Sequence, residues 1–208
     1  MASLHADPLD DSCLTHMAHQ AMARYPLCFG AQITLVTRSE NATFRVETAT
    51  QRYALRIHRP GYHALVDIES ELAWLEALQR DTDIPVPQPV MDCEGHRVLT
   101  LPAPDGSQRH AVLFHWLEGE TPTACVDPLS FRQLGALTAR LHQHSRGWSR
   151  PEPFRRLVWD HETMVGPAGH WGNWQETPGL SAADRHIIAQ AMQQAGQELA
   201  AYGMAGER

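Results

Sequence analysis

Apolar and polar residues alternate over residues 32–37, with Ile33 and Leu35 on one side and Val36 on the other, which predicts a strand. Phe44-Arg45-Val46-Glu47-Thr48 and residues 52–58 alternate again and predict a β-hairpin around Ala49-Thr50-Gln51, preceded by a turn at Ser39-Glu40-Asn41-Ala42. The period then lengthens. Ile68, Leu72, Leu75 and Leu78 fall on one face of a helix over residues 67–78. Pro85, Pro87 and Pro89 forbid its continuation, and Ile84-Pro85-Val86-Pro87 reads as a Pro-punctuated strand. Val98-Leu99-Thr100-Leu101 and Ala111-Val112-Leu113-Phe114 predict two more strands around a Pro/Gly-rich turn. Beyond Glu118 the pattern becomes helical. Residues 128–145 predict a helix with Phe131, Leu134, Leu137, Thr138 and Leu141 inward, and residues 146–179 an ordered loop rich in Trp, Pro and Gly. Ser181 is a helix N-cap with Asp184 at the third position, opening a helix to about residue 202. A short helix over residues 13–25, ended by Pro26, precedes all of this. The pattern is that of an α+β protein, strand-rich in residues 1–117 and helix-rich in 118–208.

Composition narrows the classes. An apolar fraction of 43% and a charged fraction of 20% belong to a globular protein, and 208 residues can bury a core as one large domain or two small lobes. The net charge of −7 and the lack of any basic block argue against a nucleic-acid surface. All 17 basic residues are Arg, which reads as GC-rich coding bias rather than chemistry. Cys13, Cys28, Cys93 and Cys125 are scattered without a C-x-x-C pair, so neither a disulfide framework nor a zinc knuckle is expected. The polar, acidic residues 1–11 are not a signal peptide, and no apolar run approaches membrane-spanning length. A reduced, cytoplasmic protein with neither nucleic acid nor membrane as partner is expected.

The residue with most chemistry is Arg56, a cation in the middle of a strand. Its guanidinium fork can bond two phosphate oxygens and a carboxylate at once. Acids stand at the start of the following helix, Glu71 being the candidate partner and Glu69 the alternative. A strand cation paired with a helix acid is how kinase-like folds hold the phosphates of ATP. The plainer reading is a solvent-facing Arg, with surface acids placed by the helix dipole. Thirteen histidines invite a metal site, but His142-Gln143-His144 points its rings to different helix faces and no H-x-x-x-H pair has an acid nearby. Trp148, Trp159, Trp171 and Trp174, with Asp160 and Glu162, either shape a pocket for a polar or cationic small molecule or pin a long loop.

Five motifs in order carry a family resemblance. Ser39-Glu40-Asn41-Ala42-Thr43-Phe44-Arg45-Val46 resembles a phosphate-loop hairpin, and Tyr53-Ala54-Leu55-Arg56-Ile57-His58-Arg59-Pro60-Gly61 the third strand. Glu71 with Leu78, then Ile84-Pro85-Val86-Pro87, resembles the first long helix and the next strand. Val112-Leu113-Phe114-His115-Trp116-Leu117-Glu118-Gly119 resembles the hinge strand. Leu134-Gly135-Ala136-Leu137-Thr138-Ala139-Arg140-Leu141-His142 resembles the helix after it. Over residues 33–202 the chain resembles the aminoglycoside phosphotransferase family of kinase-like enzymes, nearest its homoserine-kinase and stress-response-kinase branches. The resemblance implies a protein-kinase-like fold, with an antiparallel-sheet N-lobe in residues 1–117 and the first helices of a helical C-lobe in 118–208. It also implies ATP and magnesium.

The resemblance assigns phosphates to Arg56 and Glu71 and to a loop containing Ser39, Asn41 and Thr43, although a plain hairpin turn fits that glycine-free loop too. Ala54 would roof the adenine, unless it is ordinary packing, and the backbone of His115, Trp116 and Leu117 would read the base. Members carry an H-x-D-x-x-x-x-N loop and a later metal-binding Asp; neither follows Leu141-His142, and His5-Ala6-Asp7 mimics only the start of the loop. The expectation is a chain cut short at Arg208, with the catalytic Asp and the magnesium ligands of the family falling beyond that residue. Its parent would move the γ-phosphate of ATP to a hydroxyl of a small molecule or of a protein Ser/Thr. The alternatives are a non-catalytic nucleotide-binding or regulatory remnant and a purely structural module. A homodimer through exposed apolar surface is expected as well.

Overall fold

Strands form where the alternation predicts them. β1 (Gln32–Arg38), β2 (Asn41–Glu47) and β3 (Arg52–His58) form an antiparallel meander. β2 and β3 pair without interruption from Asn41↔His58 to Glu47↔Arg52, while the register of β1 shifts between Leu35 and Thr37. β4 (Leu99–Pro102) and β5 (Gln108–His115) complete a five-stranded sheet of order β1-β2-β3-β5-β4. The β4–β5 turn needs Gly106, whose φ of +80° is the left-handed region that a side chain disfavours. The computed structural model describes residues 9–119, 127–167, 169–170 and 172–203. His5-Ala6-Asp7, Cys125, Trp171 and Arg208 lie outside them, so the expectations placed on the His5 motif and on a catalytic Asp beyond Arg208 concern residues outside the described ones.

The two faces of the sheet bury different partners. Ala42, Phe44, Val46, Tyr53, Leu55, Ile57, Ala111 and Leu113 lie under α1 (Asp11–Met22), which contributes Leu14, Met17, Ala18 and Ala21. Asp10 caps α1, its carboxylate accepting from the Cys13 N–H at 2.7 Å. On the opposite face Val112 and Phe114 meet Ile68 and Leu72 of α2 (Leu65–Asp81), with Ala54, Leu75 and Val98 partly buried around them. Each such side chain contributes roughly 1.5–3 kcal/mol when fully buried. The period-2 and period-3.6 patterns therefore fix which face of β3 looks at α2. That face carries Ala54, Arg56 and His58.

Two expectations change. Residues 84–87 form no strand; the chain touches the sheet through an isolated bridge from Pro89 to Phe114. Alternate prolines lack the N–H a strand ladder needs. In α3 (Pro128–Gly147), capped by Asp127 accepting from the Ser130 N–H at 2.9 Å, the face expected to be inward is not covered. Phe131 is 60%, Leu134 56% and Leu137 36% exposed. By contacts, the described residues up to Arg156 form one compact unit and those from Leu157 another. α3 joins the first unit because His144 Nε2 lies 3.0 Å from Oδ2 of Asp81, the last residue of α2, and Arg140 pairs with Asp83 just after it. The change from strands to helices near Glu118 is thus a change of element class inside one contact unit.

The second unit holds α4 (His161–Val165), opened by Asp160 accepting from the Thr163 N–H at 2.9 Å, and α5 (Ala182–Ala201). α5 carries the expected cap: Asp184 Oδ2 accepts from the Ser181 N–H at 2.9 Å and from its hydroxyl at 2.7 Å. No helix among the described residues is long and apolar enough to cross a membrane.

Candidate nucleotide site

β3 places Arg56 between Thr43 of β2 and Val112 of β5, on the face covered by α2. α2 enters after Gly61, whose φ of +76° turns the chain back toward the sheet, and its second turn delivers Glu71. Arg56 Nη2 donates to Glu71 Oε1 at 2.9 Å, with the side chains 22% and 20% exposed. The guanidinium carbon stands 5.0 Å from the Phe114 ring centroid, so an aromatic face supports the cation. Of the two acids the sequence left open, Glu71 is the partner; Glu69 is exposed and lies by His110.

A second layer of charge surrounds this pair, none of it predicted. Asp67, 3% exposed, accepts from Arg155 Nε at 2.6 Å, from Arg155 Nη2 at 2.7 Å and from the Ala64 N–H at 2.8 Å. Burial works against its ionisation, but the Arg155 fork and the Ala64 N–H outweigh it and hold the carboxyl below its ordinary range. The Arg155 N–H donates to Ser70 Oγ at 2.9 Å. Arg156 then lies along the same helix, its Nη1 3.2 Å from the Asp67 carbonyl and 3.6 Å from Glu71 Oε2. These contacts span 85 to 89 residues, beyond any sequence period. The one local signal is the doublet Arg155-Arg156 itself.

Histidines complete the surroundings. His58 is 2% exposed and neither ring nitrogen has a hydrogen-bond partner among the described residues. Burial, with smaller contributions from Arg56, His63 and His110, pushes its pKa down to about 3. The His63 ring, 6.1 Å away centroid to centroid, is also lowered, by burial first and then by Arg156, against the opposing pull of Asp67 and Glu71. Both are neutral at pH 7, so the positive charge here belongs to arginines.

The remaining candidates divide. Ser39 is exposed in the β1–β2 turn and its N–H donates to the Asn41 carbonyl at 3.0 Å. Asn41 and Thr43 belong to strand β2 rather than to the loop, because β2 begins at Asn41, three residues before the expected start at Phe44. Thr43 still faces Arg56 across the ladder, and Asn41, opposite His58, has a buried Oδ1 without a protein partner among the described residues. The turn also holds Glu40, whose carboxyl is held below the usual range by its own backbone N–H and by Ser39. Ala54 sits between Arg45 and Phe114 and packs against the Ile68 cluster. At the end of β5 the His115 N–H donates to the Gln88 carbonyl at 2.9 Å and the Trp116 N–H to the Arg52 carbonyl at 3.2 Å. Leu117 follows, 46% exposed.

The Trp-rich loop is divided between the units. Trp148 packs on Phe154 at 5.3 Å in the first, Trp159 on His170 at 5.6 Å in the second, and Asp160 is taken up as a helix cap. Asp92, Glu94 and His96 have a spacing that could hold a cation, but Arg24 already reaches Asp92 and Glu94 at 2.6 Å each.

The sheet order and the helix packed on one face define a kinase-like fold. Residues 33–204 match the model of the Phosphotransferase enzyme family, and the chain belongs to that family. A solved structure of a microcompartment-associated aminopropanol kinase is 38% identical with a TM-score of 0.79, over 90% of this chain and 58% of that one. An amicoumacin kinase in complex with AMP-PNP, Ca2+ and Ami shares the fold at 21% identity and TM-score 0.66, over 92% of this chain and 54% of that one. A spectinomycin phosphotransferase in complex with ADP and spectinomycin does so at 13% and 0.51, over 88% and 54%. The chain thus spans little more than half the length of these solved relatives. No curated protein matches it.

Proposed function

We propose that the chain forms the nucleotide-binding part of an ATP-dependent phosphotransferase that moves the γ-phosphate to a hydroxyl of a small molecule or of a protein Ser/Thr. The observation that carries this reading is the Arg56–Glu71 ion pair, held between an aromatic face and α2. A largely buried cation whose fork is fixed by one carboxylate keeps further N–H donors for phosphate oxygens, which is positioning and charge neutralisation rather than covalent chemistry. On this reading residues 1–117 are the N-lobe and 118–208 belong to the C-lobe. Thr43 and Asn41 line the phosphate face from β2, Ser39 offers the turn above it, Ala54 leaves room for the base, and the chain from His115 to Leu117 reads it. Since the His115 and Trp116 N–H groups are engaged, carbonyls and the Leu117 N–H carry that recognition. Magnesium would accompany the nucleotide, and no residue of this chain is assigned to it. The place of action is the cytoplasm, where ATP is available. No self-association is part of the proposal.

A second reading rests on the missing H-x-D-x-x-x-x-N: the 208 residues bind nucleotide without turning it over. Both readings require ATP to bind. Calorimetric titration of the chain with ATP and Mg2+ tests them together, and no heat of binding at millimolar ATP removes both in favour of a structural module.

A further inference from the structure

The residue that neither the ion pair nor the family pattern explains is Arg156. It ends a segment that follows α3 and docks on the start of α2. The docking is done by its neighbour: Arg155 holds Asp67 with two hydrogen bonds and Ser70 with its backbone N–H. With Arg155 fixed, the next side chain runs along the helix to Glu71. Arg156 Nη1 stands 3.6 Å from Glu71 Oε2 while Arg56 Nη2 stands 2.9 Å from Oε1. Two guanidinium groups therefore bracket one carboxylate.

The charges do not balance. Arg155 and Asp67 cancel. Arg56 and Arg156 share the single charge of Glu71, which leaves one positive charge among these five residues. The neighbouring His63 stays neutral and does not change the count. The contacts are unequal as well. At 3.6 Å Arg156 makes an ion pair with Glu71 but no hydrogen bond, and its 3.2 Å bond goes to a carbonyl. Its side chain is 40% exposed against 22% for Arg56, and the buried Nε of Arg56 has no hydrogen-bond partner among the described residues. A structural arginine would turn its fork onto the carboxylate, as Arg155 does. Donors in excess beside a half-neutralised carboxylate suit an anion with several oxygens spaced to reach both forks.

We infer that Arg156 is a second phosphate-binding cation, which brackets Glu71 with Arg56 and takes an oxygen of the bound polyphosphate. The inference rests on the nucleotide-binding reading above. It adds that α2 alone does not define the phosphate site, because the segment after α3 supplies half of its positive charge.

The test is calorimetry of the full chain with ATP, ADP and adenosine at low and high salt, comparing wild type with Arg156→Gln, Arg156→Lys and Arg56→Gln. Removing a charge-assisted bond in Arg156→Gln is expected to weaken ATP roughly 10- to 100-fold. ADP should weaken less, adenosine should be unchanged, and the salt dependence of ATP binding should flatten because one screened charge is gone. Arg156→Lys should recover part of the loss. Should Arg156→Gln fail to fold, Arg156→Met keeps the packed stem without the charge and decides in its place. Wild-type ATP affinity in the charge-free variant, with Arg56→Gln weakened, overturns this inference and leaves the nucleotide reading standing. Equal loss for adenosine and ATP overturns it too, since that would be a structural effect. A wild-type chain that binds no ATP overturns both.

Discussion

Arg56 on β3 and Glu71 on α2 meet at 2.9 Å, a contact between two elements whose order in the chain is strand, turn, helix. The pair is about four-fifths buried, so the partial neutralisation is not dissipated by solvent as it is for exposed pairs. If its fork also holds phosphate, Arg56→Ala should weaken ATP binding by about 1–3 kcal/mol, the range for charge-assisted hydrogen bonds. Glu71→Ala should weaken it less, because it acts by orienting Arg56. The double variant should lose less than the sum, since both residues belong to one network. Titration calorimetry on the three variants checks this; additive losses would show that the residues act separately.

Asp67 and Arg155 give a prediction about stability instead. Asp67 is 3% exposed, so removing its partner strands a buried carboxylate, an error that costs about 3–5 kcal/mol in dry sites. The Arg155 side chain is 57% exposed, and solvent near it lowers the expectation for Arg155→Ala to about 1–2 kcal/mol. The pH sign follows from the lowered carboxyl. The contribution is complete above the unfolded value of 3.8 and disappears as pH falls through the lower folded value. The gap in urea midpoint between wild type and Arg155→Ala should be narrower at pH 3 than at pH 7. An equal gap at both pH values would show that the carboxylate is not the cause.

The elements that follow a strict period were legible from sequence: β3 over residues 52–58, α2 through Ile68, Leu72 and Leu78, and the Ser181–Asp184 cap. Arg56 was legible as a cation in mid-strand followed by a helix that carries acids near its start. Asp67 was not, because an acid in the first turn of a helix has a sufficient explanation in the helix dipole and needs no arginine 88 residues away. The Ile84–Pro87 stretch misled because β-branched residues favour a strand while alternate prolines remove the ladder donors. The α3 face misled for another reason. Periodicity reports that Phe131, Leu134 and Leu137 share a side, but not whether anything covers it.

That uncovered side makes a distinct prediction. Leu134, 56% exposed, loses little buried surface on substitution. Leu134→Ser should change the thermal midpoint by no more than the equivalent of about 0.5 kcal/mol, as surface substitutions do. Leu72→Ala, fully buried against the sheet, should cost about 2–5 kcal/mol. Differential scanning fluorimetry of the two variants separates these cases. A large loss for Leu134→Ser at all protein concentrations would mean that the face is covered within the folded chain.

His58 adds acid sensitivity to the first unit. Its ring is buried beside Arg56, His63 and His110, and its pKa falls from 6.5 to about 3. The sign is opposite to that of a histidine that gains an acidic partner. Above pH 6.5 the ring is neutral in both folded and unfolded chains and adds no pH dependence. Below 6.5 the unfolded chain takes up the proton and the folded chain does not, so stability falls as pH drops toward 3. The loss is about 1.4 kcal/mol per pH unit, or roughly 2 kcal/mol at pH 5. His58→Leu, close in volume, removes both the titration and the two ring nitrogens that lack protein partners among the described residues. At pH 7 that replacement should be near neutral, because no protein hydrogen bond is broken. Subtracting the stability of His58→Leu from that of wild type at each pH cancels the other histidines. The difference should be flat above about pH 6.5 and decline from there to pH 4, as read from urea unfolding. A flat difference would place a proton acceptor beside the ring and remove His58 as the source of acid sensitivity.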